Sequence, residues 1–96
     1  MTIQPTTVQI HLPALLRRHA GMASVLTASG ITAGEALEDL VRQHTALRAQ
    51  LYDEHGALRH FVTVFRNDED IRYLEAERTP LREGDILSVV PSLAGG

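Results

Sequence analysis

The stretch TAGEALEDLVRQH, residues 32–44, decides how the chain folds. Ala36, Leu37, Leu40 and Val41 recur at helical spacing and make one apolar stripe, with Glu38, Asp39 and Arg42 on the opposite side. Thr32 and Glu35 have the spacing of a capping box, in which the hydroxyl accepts from the Glu35 amide and the carboxylate reaches back to the Thr32 amide. Ile31 and Ala36 occupy the two positions of a short hydrophobic staple. The acids lie toward the start and Arg42 near the end, as the helix dipole prefers. The pattern predicts one principal helix from about Ala33 to His44.

Strand patterns lie on both sides of it. Val8, Ile10 and Leu12 alternate with polar residues, so they face inward on a half-buried strand that Pro13 ends. A small segment follows from Arg17 to Met22, then a weaker strand from Val25 to Ala28 that can complete an opening hairpin. Beyond the helix, Leu47 to Tyr52 reads as a short helical piece before a turn at Glu54-His55-Gly56. HFVTVFR, residues 60–66, is the strongest strand. Asn67 to Asp70 is turn-forming, Ile71-Arg72-Tyr73 returns as a short partner strand, and Pro80 to Asp85 forms a further turn around Gly84. Ile86 to Val90 is the last strand, stopped by Pro91, which has no amide donor.

One long helix covers one face of such a mixed sheet. The expectation is an α+β fold, a ubiquitin-like β-grasp with the sheet packed on one main helix; a generic small α+β sandwich is the rival. Residues 1–91 form the domain and residues 92–96 a flexible tail. Compact Val62, Val64, Leu87 and Val89 suit the helix-covered face. Phe61, Phe65, Ile86 and Val90 are then assigned to the open face, where an apolar patch marks a partner-binding surface. The inverse assignment, or a cover made by the loop from Leu51 to Leu58, stays open.

Composition narrows the function. Net charge is −3, hydrophobic content 44% and charged content 22%, ordinary values for one soluble domain. There is no cysteine, which excludes disulfides, thiolate metal sites and cysteine catalysis. No signal peptide or membrane-length apolar run is present, so a cytoplasmic protein is expected. All nine basic residues are arginine. A chain without lysine cannot accept an isopeptide bond on a side-chain amine. His11, His19, His44, His55 and His60 lack metal-ligand spacing, and Asp68-Glu69-Asp70 lacks the length and glycine of a calcium loop. The glycines Gly21, Gly30 and Gly34 make no nucleotide-binding loop, and the pair Arg17-Arg18 in an acidic chain does not point to nucleic acid.

The sequence ends Ser92-Leu93-Ala94-Gly95-Gly96, after a run without a charged side chain from Ile86 onward. Two terminal glycines leave the last carbonyl carbon unshielded and the backbone permissive, so the tail can enter a narrow site on another protein. A merely loose terminus is the alternative.

Two runs carry a resemblance: FVTVFRNDEDIR, residues 61–72, and Leu81-x-x-Gly84-Asp85-x-Leu87-x-Val89-x-Pro91-x-x-Ala94-Gly95-Gly96. Together they resemble the ubiquitin-like sulfur carriers of the MoaD/ThiS family, and within it the actinobacterial cysteine-biosynthesis carriers. The molybdopterin synthase small subunit has a similar length and stays open, as does a non-catalytic ubiquitin-like interaction or conjugation module. The resemblance implies a carrier and not an enzyme. The reacting group would be the carboxylate of Gly96, with Leu93, Ala94 and Gly95 as the tail that reaches the partner's active site. It also implies an E1-like adenylating and sulfurtransferase partner that uses ATP and Mg, with no cofactor bound by the carrier itself. A pyridoxal-phosphate (PLP) cysteine synthase or a molybdopterin synthase large subunit would take the sulfur, and a metal-dependent peptidase would release the product. No nucleic acid and no membrane partner is implied.

Overall fold

Five strands form one sheet in the order β2-β1-β5-β3-β4 in the computed structural model, which describes residues 6–91. They are β1 (Thr7–His11), β2 (Val25–Ser29), β3 (Val62–Arg66), β4 (Glu69–Asp70) and β5 (Ile86–Pro91). The helices are α1 (Ala14–Arg17), α2 (Ala33–Gln43) and α3 (Arg48–Leu51). β1 and β5 run parallel at the centre; every other pairing is antiparallel. This is the expected ubiquitin-like β-grasp, a mixed sheet packed on one main helix.

α2 buries the predicted stripe of Ala36, Leu37, Leu40 and Val41, along with Ala33. Across from it, Val8, Ile10, Leu12, Val62, Val64, Leu87 and Val89 fill the core from the sheet. Leu47, Leu51 and Tyr52 join the same core, so the segment after α2 packs on the helix side and leaves the opposite face uncovered. The α2 start differs from the expected box. The Glu35 amide donates to Thr32 Oγ1 at 3.2 Å, but Glu35 Oε1 accepts from the amide of Ile31, not of Thr32. Ile31 is 61% exposed, so there is no staple. The cause is tertiary. Leu81 donates to the Ile31 carbonyl and Ala33 to the Thr79 carbonyl, and this pairing fixes how the chain enters the helix.

Three boundaries also depart from expectation. The segment after β1 turns helical at Ala14 and ends at Ala20, where Gly21 and Met22 take left-handed φ of 63° and 68°. The return strand is Glu69–Asp70, not Ile71–Tyr73: Asn67, at φ 56°, opens a tight turn, and the acids behind it pair with β3 at once. Ile71 to Tyr73 then forms a 3-10 turn that buries Ile71. β3 starts at Val62 rather than His60, because the Val62 amide closes a turn onto the Arg59 carbonyl at 2.9 Å.

Pro91 lies inside β5, opposite Val62. The Asn67 amide donates to the Ile86 carbonyl, which makes that pair a hydrogen-bonded one. Alternation along the ladder then makes the Val62–Pro91 pair non-hydrogen-bonded, where a missing N–H costs nothing toward β3.

Candidate functional site

The register lays out the open face residue by residue. One row across the sheet runs Val25, His11, Ser88, Phe65, Asp70. The row beside it holds Thr27, Gln9 and Ile86, and on the other side Val90 pairs with Thr63. Ile86 and Val90 therefore flank Ser88 on one strand, with Phe65 alongside. Val90 is 44% exposed, while Phe65 and Ile86 are half-buried. The structure thus brings Phe65, Ile86 and Val90 onto one uncovered face.

Phe61 stands apart. It belongs to the turn ahead of β3, where its ring meets the His60 ring edge-on at 6.1 Å between centroids, and the Arg59 guanidinium carbon lies 6.0 Å from its centroid. Thr63 is buried even though it alternates with the core residues, and the Arg72 Nη2 group approaches its hydroxyl at 3.5 Å. Arg72 also grips Asp70, at 2.9 Å for the shortest contact, and this bond holds the Asp70 carboxyl below its usual range. Gln9, His11 and Ser88 share this face with Phe65, Ile86 and Val90, beyond the four residues that the strand patterns assign to it. The period-two alternation that pointed Ile10 inward would have pointed Gln9 and His11 outward.

The second part of the site is the exit of the chain. β5 lies between β1 and β3, so Pro91 leaves from the middle of the sheet and beside Val62. Leu93, Ala94, Gly95 and Gly96 lie outside the described residues. A cleft of about 510 Å³ opens over Val62, Val64 and Ile71, with Arg59, Arg72 and Arg78 in its walls. Among the described residues, no cluster of His, Cys, Asp or Glu could hold a metal ion, and no helix is long and apolar enough to cross a membrane.

A β-grasp domain with one helix-covered face, whose central strand leads out toward the glycine pair, has the layout of a ubiquitin-like carrier. The family model of the ThiS family matches residues 10–96, and the chain belongs to that family of ubiquitin-like sulfur carriers. It is 34% identical over 91 residues to the sulfur carrier protein CysO of Mycobacterium tuberculosis, covering 93% of this chain and 98% of that one. Among solved structures it is similar to small archaeal modifier protein 1 of Methanosarcina acetivorans, with TM-score 0.87, 26% identity and coverage of 98% and 100%. It is also similar to a chain of the Amycolatopsis orientalis BexX/CysO complex, with TM-score 0.84, 34% identity and coverage of 93% and 99%.

Proposed function

We propose that this chain carries sulfur on its C-terminal glycine, and that the sulfur serves cysteine biosynthesis. The observation that carries the reading is a family match that runs unbroken through the terminal glycine pair. The similarity to CysO over nearly the whole of both chains supports the pathway.

A C-terminal carboxyl has a pKa of about 3.5, so at neutral pH Gly96 is a stable anion and a poor acyl donor. Attack by that carboxylate on the α-phosphate of ATP expels pyrophosphate and gives an acyl adenylate. Hydrosulfide, supplied on the partner, then attacks the acyl carbon, AMP leaves, and loss of the thiol proton gives the thiocarboxylate. The carrier contributes the acyl group and a tail of small residues. An E1-like partner contributes ATP, Mg and the catalytic groups. The thiocarboxylate sulfur would next displace the activated oxygen group from the β-carbon of a serine derivative on a PLP cysteine synthase. Transfer of the acyl group from sulfur to the amino nitrogen would then give a cysteinyl carrier joined by an amide bond. A metal-dependent peptidase would release the cysteine. Phe65, Ile86 and Val90 serve docking, and Leu93 to Gly96 serve the chemistry.

A second reading has support as well. Small archaeal modifier proteins and a ubiquitin-related modifier are among the relatives, and attachment of this chain to another molecule through Gly96 is the corresponding reading. Intact-mass analysis of protein isolated from the cell separates the two. A gain of about 16 Da, sulfur in place of oxygen, supports the carrier; an amide adduct at Gly96 supports the modifier. Removal of Gly96 is expected to abolish ATP-dependent activation and leave the thermal unfolding transition unchanged. Equal activation of the truncated chain would reject Gly96 as the reacting residue. Activation without cysteine formation, together with copurification of a molybdopterin synthase large subunit, would move the pathway there.

A further inference from the structure

The strand directions sort the charges of this molecule by end. β1 and β5 are parallel, and β2 and β3 run against them. The segment after β1, with Arg17 and Arg18, and the segment before β3, with Arg59 and His60, therefore share the end from which Pro91 leaves. They are physically continuous. The 3-10 turn at Arg18–Ala20 packs on the turn at Thr45–Leu47, which runs into α3, and the α3 carbonyl of Ala49 accepts from Arg59 Nε at 2.9 Å. Arg17 Nε is held in the same manner by the Leu12 carbonyl, at 3.1 Å. Both side chains are anchored at the base by a backbone oxygen.

None of Arg17, Arg18 and Arg59 is in an ion pair among the described residues, although Glu75 and Glu77 line the same cleft as Arg59. Arg42, Arg48, Arg66 and Arg72 each pair with a carboxylate. Asp53 feels the charge of Arg59, but its carboxylate is taken by the amides of His55 and Ala57. Glu54 approaches only His55, at 3.7 Å. The far end of the sheet has the opposite character. Glu83 and Asp85 precede β5, and Asp68 and Glu69 sit at the β3–β4 turn. There the cation Arg66 pairs with Glu69, and Arg82 stands without an ion pair among the described residues.

Resting on the carrier reading, we infer that Arg17, Arg18 and Arg59 form a basic collar around the exit of the tail that fits an acidic rim on the adenylating partner protein. A chain of net charge −3 would otherwise be repelled by such a rim. The segregation turns the molecule so that the tail end approaches first, because long-range charge acts on the rate of encounter. The Phe61 ring beside Arg59 supplies an apolar contact within the collar.

The test is stopped-flow association of the full-length chain with the E1-like adenylating enzyme of the same organism, from low to high salt. Arg17→Glu with Arg59→Glu is expected to lower the association rate about tenfold or more at low salt, and to flatten its salt dependence. Arg18→Glu, whose side chain makes no hydrogen bond among the described residues, is expected to lower it several-fold and guards against a folding defect in the double variant. Arg82→Glu at the far end serves as the control, within about twofold of wild type. A wild-type rate indifferent to salt, or an equal loss from Arg82→Glu, overturns the collar. Binding of transfer RNA at the same protein concentration with loss in the arginine variants also overturns it, since the surface would then be a phosphate site. Normal association without adenylation rejects the carrier reading while the rates still decide the collar. No wild-type association overturns both.

Discussion

The two faces of the sheet are cut from the same strands, residue by alternate residue, and they meet different demands. On the helix side, Ile10, Leu87 and Val89 are all but inaccessible, and their neighbours Leu37 and Leu40 on α2 are fully buried. On the other side the same strands offer exposed Gln9 and Val90 and half-buried His11, Ile86 and Ser88, a mixture of apolar and polar groups. The first face is specified by volume, and every methylene counts. The second is left without a helix layer, and under the proposed docking role it is shaped by what another protein recognises. A substitution should therefore damage stability or docking according to the parity of its position, even between adjacent residues.

Leu87→Ala should break the comparison hardest. Leu87 is fully buried against the helix layer, so truncation leaves a cavity and costs about 2–5 kcal/mol. Urea unfolding should show a lower midpoint with an unchanged slope. A loss under about 1 kcal/mol would mean that the core collapses around the site, or that the face assignment fails there.

Tyr52 gives the next largest effect, through pH. Burial pushes its phenol up to about 12 from the ordinary 10, with the negative charges of Glu77 and Glu38 adding to the shift. The folded pKa exceeds the unfolded one, so the contribution is complete below pH 10 and is lost as pH rises toward 12. Two units correspond to about 2–3 kcal/mol. In Tyr73→Phe, Tyr52 is the only phenol left, and its ionisation followed by ultraviolet absorbance should centre near pH 12. A midpoint near 10 in the folded protein would show that the ring is wet. At the acid end the sign reverses. Backbone amides hold the Asp53 carboxyl low, and Arg72 does the same for Asp70, so that stability is present above their ordinary range and declines as pH falls through the lowered values.

Much of this architecture was legible because local signals agreed with the global fold. The α2 stripe, the alternation in β1 and β5, and the β-branched residues Val62 and Val64 each identify an element and its buried face without help from the rest of the chain. The errors fell where tertiary contacts outrank local pattern. Ile31 has the spacing of a staple residue, yet pairing with Thr79 to Leu81 controls its direction. Ile71 looks like a strand residue, yet the core draws it inward and the acids before it become β4. Phe61 alternates with Phe65 on paper, yet a turn at Arg59 removes it from the strand and places it at the tail exit. The basic collar was the least legible feature. Arg17 and Arg59 are 42 positions apart, and only the parallel pairing of β1 with β5 together with the antiparallel pairing of β3 with β5 reveals that they share an end.

The smallest expected effect on stability is the sharpest test of the open face. Phe65→Asp is a poor probe, because it would put a carboxylate directly opposite Asp70 on β4 and destabilise the pair on its own account. Val90→Thr avoids this. Val90 pairs with Thr63, keeps 44% of its surface exposed, and would exchange one methyl for a hydroxyl of nearly the same shape. Both residues are β-branched, so strand preference is retained and stability should move by no more than about 0.5 kcal/mol. In a docked complex the same hydroxyl would be withdrawn from water without a designed partner. That costs about 1–3 kcal/mol, roughly a 5- to 150-fold loss of affinity for the adenylating enzyme. The expected result is a variant that unfolds like the wild type, binds weakly, and reaches the wild-type activation rate at saturating carrier, since the tail is untouched. Unchanged affinity would place the docking surface elsewhere and leave Gly96 as the reacting residue; an unchanged affinity with a large loss of stability would reverse the roles of the two faces at this strand.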